Sequence, residues 1–155
     1  MFKKFSVAEN VSSSSQLKNS VQRAIQAQIV ESYPCLAECI DEIIPKKQMM
    51  SCKCDDYVQL IVVDKEILFY NKRDGPFYPT LRLLHKYPSM MLRMQVDKGA
   101  VRFILSGANI MCPGFTSAGG DLPVDIATEM PVAIRVEGKE HAVAIGLTKM
   151  STADM

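Results

Sequence analysis

The early apolar positions recur at helical spacing. Leu17, Val21, Ala24, Ile25 and Ile29 share one side of a helical projection, with Lys18, Gln22, Gln26 and Gln28 largely between them. That is the pattern of an amphipathic helix. Ser12 to Ser15 supply candidate N-caps and Pro34 a stop. A second, short helix follows, with Leu36, Ile40, Ile43 and Ile44 apolar and Pro45 at its end. Lys46-Lys47 to Asp55-Asp56 reads as a polar connector with a strand around Met49 to Cys54. The β-branched run Tyr57 to Val63 and its mirror Ile67 to Tyr70, across Asp64-Lys65-Glu66, predict a hairpin. Asp74-Gly75 marks a turn, and Pro79 to Tyr87, closed by Pro88, frames a short helix. These elements form a small α+β unit ending near Ser89.

The second half has a different rhythm. Leu92 to Val96 predicts a strand, and Asp97 an N-cap for a short helix carrying Val101, Ile104 and Leu105, broken by Gly107. Ala108 to Cys112 predicts extended chain, Pro113-Gly114 a turn, and Thr116 to Asp125 a loop around Gly119-Gly120. Val132 to Val136 and His141 to Leu147, joined by Glu137-Gly138-Lys139-Glu140, predict a second hairpin. Strand, short helix, glycine-marked loop and strands describe a small mixed β-barrel.

Composition narrows the class. Apolar residues are 48% and charged residues 23% of 155, the balance of a globular chain rather than a disordered one. A formal net charge of +1 gives no global attraction to nucleic acid or membrane, so any RNA binding must come from local clusters. No stretch approaches the roughly 20 apolar residues of a membrane helix, and Ser6 to Ser15 is too polar for the core of a signal peptide. Five cysteines, an odd number without an export signal, read as reduced cytosolic thiols.

Two motifs carry a resemblance. Gln95-Val96-Asp97-Lys98-Gly99-Ala100, followed by Leu105-Ser106-Gly107-Ala108-Asn109-Ile110-Met111-Cys112-Pro113-Gly114, resembles a PUA domain, an RNA-binding module of pseudouridine synthases and archaeosine transglycosylases. Gly107 permits a tight helix exit, and Pro113-Gly114 a close backbone approach to a ligand. Asp74-Gly75-Pro76-Phe77-Tyr78-Pro79-Thr80-Leu81-Arg82-Leu83-Leu84-His85-Lys86-Tyr87-Pro88 is similar to the joint between the two domains of the malignant T-cell-amplified sequence family, and Met1-Phe2-Lys3-Lys4-Phe5 to that family's start.

This resemblance implies an α+β chain. A small N-terminal adaptor (pre-PUA) domain at 1–91 precedes a PUA-type mixed β pseudo-barrel at 92–155. It further implies a cytoplasmic, non-enzymatic translation factor subunit. Such proteins pair with the density-regulated protein, which carries a SUI-type domain, and bind the small ribosomal subunit in reinitiation and in removal of deacylated tRNA. Ligatin fuses equivalent domains in one chain. Family members continue past the position of Met155, so the barrel here is expected to lack its closing segment. Either a longer parent or a neighbouring chain covers that edge, or the Thr116 to Thr128 loop folds over it.

Lys72 to Arg102 holds Lys72, Arg73, Arg82, Lys86, Arg93, Lys98 and Arg102 against only Asp74 and Asp97, with His85 as a further donor. This is a phosphate-binding surface or simply a solvated basic face. Lys98 and Arg102, four apart on the predicted helix, are expected to project together. The expected RNA-contacting set is Lys98, Arg102, Gly107, Asn109, Pro113 and Gly114, with Arg82 and Lys86 beside it. Cys35-x3-Cys39 and Cys52-x-Cys54 miss zinc-knuckle spacing, so no metal or cofactor is expected. Cys112 reads as a packing residue. His141 reads as a structural histidine inside a strand, and no nucleotide-binding or hydrolase motif appears. Phe77, Tyr78 and Tyr87 are read as a packing wedge in preference to a base-stacking platform. Two other roles remain open: an accessory module in RNA modification or ribosome assembly, and a protein-only adaptor.

Overall fold

The structure, a computed structural model, describes residues 5–45, 49–122 and 125–155. The basic start Met1–Lys4, Lys46-Lys47 of the connector and Pro123-Val124 of the later loop lie outside the described residues. The chain divides into two compact units, Met1–Leu83 and Leu84–Met155. The division falls inside a helix, earlier than the joint near Ser89 expected from the prolines.

In the first unit a turn of helix, α1 (Val7–Asn10), leads into strand β1 (Val11–Gln16). The serine run therefore makes an edge strand, antiparallel to β2 (Met49–Cys54), and caps no helix. Its side chains are nearly all exposed, so it shows no alternation, and its backbone satisfies the open edge of β2. Helix α2 (Asn19–Ser32) follows with Lys18 at its N-cap and no side-chain cap. Ile25 and Ile29 are buried as the spacing predicts, while Val21 is exposed and Gln22 is buried, donating to the carbonyl of Leu17 at 2.9 Å. After Pro34 a 3-10 turn and helix α3 (Ile40–Ile43) bury Leu36, Ile43 and Ile44.

Strands β3 (Val58–Val63) and β4 (Glu66–Lys72) form the predicted hairpin, and β5 (Tyr78–Pro79) completes a five-stranded sheet in the order β1-β2-β3-β4-β5. The turn is two residues rather than three: Val63 pairs with Glu66, and Asp64 and Lys65 have φ of 48° and 66°. Two left-handed residues give the turn a twist that matches the strands. The register shifts between Ile61 and Val62, leaving Leu68 as an extra residue. This bulge explains why Leu68 and Phe69, adjacent in sequence, are both buried.

The second unit begins in the last turns of helix α4 (Leu81–Lys86). Its sheet has the order β6-β7-β8, from β6 (Leu92–Val96), β7 (Pro131–Val136) and β8 (Ala144–Leu147). β6 and β7 run parallel, which the local pattern did not predict, and β7 and β8 antiparallel. Met94, Val96, Val132, Ile134 and Val136 alternate onto one face and form the core with Phe115 and Ile126. Helices α5 (Val101–Leu105) and α6 (Pro113–Thr116) bring Val101, Ile104 and Phe115 against it.

Ala108 to Cys112 forms no strand, and Pro113 starts helix α6 instead of turning the chain. β8 starts at Ala144, so His141 lies exposed in the preceding loop. The loop after α6 returns to β6, where Gln95 and Asp121 exchange two backbone hydrogen bonds of 2.9 Å. The segment after β8 also stays bound: Thr148 donates its N–H to Met130, and the N–H of Ile126 donates to Thr152 Oγ1 at 3.0 Å.

Candidate functional site

The corner after β6 is built by Asp97. Its carboxylate accepts from the N–H of Ala100 at 3.0 Å and from the hydroxyl of Ser117 at 2.9 Å. One side chain thus caps the 3-10 turn Lys98–Ala100 that leads into α5 and pins the start of the loop after α6. Helix α5 ends at Gly107, whose φ of +79° suits the left-handed residue that closes a helix. The chain then doubles back, and the N–H of Ala108 reaches Phe103 O at 3.0 Å.

Between α5 and this returning chain lies a cleft of about 510 Å³. Arg102, Phe103, Asn109, Met111, Pro113 and Gly114 are among its lining residues. The Arg102 guanidinium lies 4.7 Å from the centroid of the Phe103 ring, a cation–π contact. Phe103 is 48% exposed and Met111 72%, an outlay of apolar surface beside a cation that folding alone does not require. Chemically the cleft offers a cation for phosphate, an aromatic face for a base and the Asn109 amide for a base edge.

Of the eight residues expected to contact RNA, Arg102, Asn109, Pro113 and Gly114 share this cleft. Lys98 is exposed but outside its lining; its Cε lies 3.9 Å from where a Cβ on Gly138 would stand. Residues 98–100 are 3-10, so the four-residue spacing to Arg102 does not align the two side chains as one continuous α-helix would. Gly107 faces open space and serves the helix end. A Cβ at Gly114 would meet Ile110 at 3.4 Å and Ala100 at 3.7 Å, ordinary van der Waals contacts, so packing within the unit does not by itself require glycine there. Arg82 and Lys86 are exposed on α4, Arg82 in the first unit and Lys86 in the second.

Phe103 and Met111 line the cleft but stand outside the set expected from the sequence. The available signal was phase: Val101 and Ile104 define the buried side of α5, and Phe103 falls off it. Of the three aromatics near the prolines, Phe77 is buried and Tyr78, half-buried, packs against Tyr70 in a tilted arrangement with centroids 5.6 Å apart.

The first unit has a separate groove of about 560 Å³ beside α2 and the end of β4. Val21, Ile25 and Phe77 line it with the carboxylates of Glu31 and Asp74. No cysteine is in a disulfide, and among the described residues no group of three or more His, Cys, Asp or Glu is placed to hold a metal ion. Among the described residues, no helix is long and apolar enough to cross a membrane.

Comparison with known proteins places both units. The Pre-PUA-like domain family matches residues 5–88 and the PUA domain family residues 92–155. The chain is 47% identical to malignant T-cell-amplified sequence 1 homolog of Dictyostelium discoideum and 49% identical to malignant T-cell-amplified sequence 1-A of Xenopus laevis. It is 47% identical to translation machinery-associated protein 20 of Schizosaccharomyces pombe. Each alignment covers 100% of this chain and 86% of the relative. Among solved structures, a hypothetical protein of Pyrococcus horikoshii superposes with a TM-score of 0.72 at 23% identity, covering 92% of this chain and 85% of the other. A conserved PUA domain protein of Thermoplasma acidophilum gives 0.66 at 17%, covering 92% and 83%. Those two likenesses establish the shared fold; the family rests on the sequence identity carried through both units. The chain belongs to the malignant T-cell-amplified sequence family.

Proposed function

We propose that this chain is a non-enzymatic, RNA-binding subunit of the translation machinery, acting in the cytoplasm. Its second unit holds rRNA or tRNA on the small ribosomal subunit through the Arg102 cleft. Its first unit recruits a SUI-domain partner similar to the density-regulated protein, for reinitiation and post-termination recycling. The observation that carries the RNA reading is the cleft's composition. A guanidinium lies over an exposed aromatic ring, with an amide and backbone turns opposite, which suits a phosphate and an unstacked base together. The relative named translation machinery-associated protein 20 points to the same setting. The groove beside α2 gives the first unit a mixed apolar and polar surface, with two carboxylates, on which a protein partner can dock. On this reading, the protein positions RNA and partner and makes or breaks no bond.

Affinity purification from cells with RNA crosslinking tests both halves. Recovery of small subunits together with a SUI-domain protein is the expected result. Recovery of an RNA-modification enzyme in their place would assign the chain to the accessory role, and protein partners without RNA would make it a pure adaptor.

A further inference from the structure

The face of the second sheet opposite the core carries its own chemistry. Arg93 on β6 sits beside Ala133 on β7, and Gln95 beside Arg135, so Arg93 and Arg135 are diagonal neighbours on one face. Both line a notch of about 20 Å³, together with His85, Glu140 and His141. That volume admits one oxygen atom of water size. Arg93 donates from Nε to Pro88 O at 3.2 Å, and Arg135 from Nη2 to Lys139 O at 3.0 Å. The Nε of Arg135 is buried without a partner. Neither guanidinium is within ion-pair distance of a carboxylate among the described residues, Glu140 included. Two guanidiniums against the single Glu140 carboxylate leave the notch with a net positive charge, and with one unused buried donor it favours an anion.

The two imidazoles complete the lip. His85 Nε2 is 2.8 Å from the carbonyl of Ala142, which can only accept, so that nitrogen carries the proton. This bond and ring contact at 5.1 Å fix His85 against His141, whose ring is exposed. His85 is thus a positioning residue, and His141 a donor at the mouth. The turn 137–140 leads from the Lys98 side chain at Gly138 to the notch, so the two cationic sites flank one loop.

We propose that this notch is a second RNA contact, binding a backbone phosphate with one oxygen seated between Arg93 and Arg135 and His141 donating from the lip. This rests on the RNA reading of the second unit and adds a site to it on the other face of the sheet. The chain has only two histidines, His85 and His141, so imidazole NMR signals report the notch directly. Titration with a 5′-phosphorylated oligoribonucleotide is expected to shift both histidines, and inorganic phosphate to compete. Arg93→Gln with His141→Ala, both exposed positions, is expected to lower the log-log salt slope of RNA affinity by about 0.7, the value of one phosphate, while the backbone amide spectrum is retained. Wild-type protein that binds RNA with unmoved histidine signals, or an unchanged slope in the double variant, overturns the notch and leaves the Arg102 cleft standing. Shifts with inorganic phosphate but not with RNA also overturn it, as an adventitious ion only. Wild-type protein that binds no RNA overturns both.

Discussion

Tyr33 is 3% exposed, and its hydroxyl donates to the carbonyl of Phe77 at 2.9 Å. Burial, reinforced by Tyr78 and Tyr70, raises this phenol well above its ordinary value of 10.0. The unfolded chain therefore loses the proton at lower pH than the folded one. The stability involved is complete below about pH 10 and declines as pH rises through the folded value. Tyr33→Phe is expected to cost about 1 kcal/mol at pH 7 by removing that hydrogen bond. It should also make the decline above pH 10 shallower, both read by urea denaturation; equal alkaline slopes would remove Tyr33 as the cause. In the cleft, Phe103→Ala is expected to cost only about 1 kcal/mol of stability, because the ring is 48% exposed. It is also expected to weaken RNA binding, by on the order of 1–3 kcal/mol for one base stacked there. Fluorescence anisotropy with a single-stranded oligoribonucleotide measures this, and unaltered affinity would exclude the ring from the interface. Lys98 and Arg102 were legible as cations worth testing because so few acidic residues surround them in sequence. Phe103 was less so, since its one signal is its phase on a five-residue helix, off the side that Val101 and Ile104 define.

At the scale of elements, what the sequence disclosed and what it hid separate by locality. The β3–β4 hairpin, the amphipathic α2 and the Asp97 cap were all readable, because each is decided by neighbours in the chain. β1 was not: a strand of serines exposed along its length carries no alternation, and its partner β2 lies far along the sequence. The parallel pairing of β6 with β7 is equally non-local. Ala142 and Val143 extend a strand-like run back to His141, but pairing in β8 begins at Ala144. Two changes probe the readable elements. Asp97→Ala removes acceptors for Ala100 and Ser117 and is expected to cost about 1 kcal/mol. That is a fall of roughly 4–8 °C in the melting temperature of a unit this size. Gly120→Ala would drive a Cβ into the Phe115 backbone carbonyl and is expected to destabilise by roughly 2–3 kcal/mol or more. Calorimetry checks both, and a wild-type melting temperature in either variant contradicts the corner described here.

At the scale of the whole molecule, a net charge of +1 means that long-range attraction does not bring this chain to RNA. On the proposed reading, binding resides in local chemistry: the Arg102 cleft with Lys98 nearby. Lys98→Ala with Arg102→Ala is therefore expected to flatten the salt dependence of RNA affinity by about 0.7–0.9 in log-log slope for each phosphate no longer neutralised. The two-domain order was legible because its motifs are short and contiguous, whereas the cleft assembles residues 97–117 through turns that no single pattern encodes. The central claim is that RNA lies in this cleft. Ultraviolet crosslinking of the protein to RNA in cells, with the crosslinked peptides identified by mass spectrometry, addresses it most directly. Nucleotide adducts on the segment from Arg102 to Met111, with Phe103 or Met111 as the modified residue, are the predicted result. Adducts confined to the first unit, or none on a chain that still co-purifies with small subunits, would contradict it.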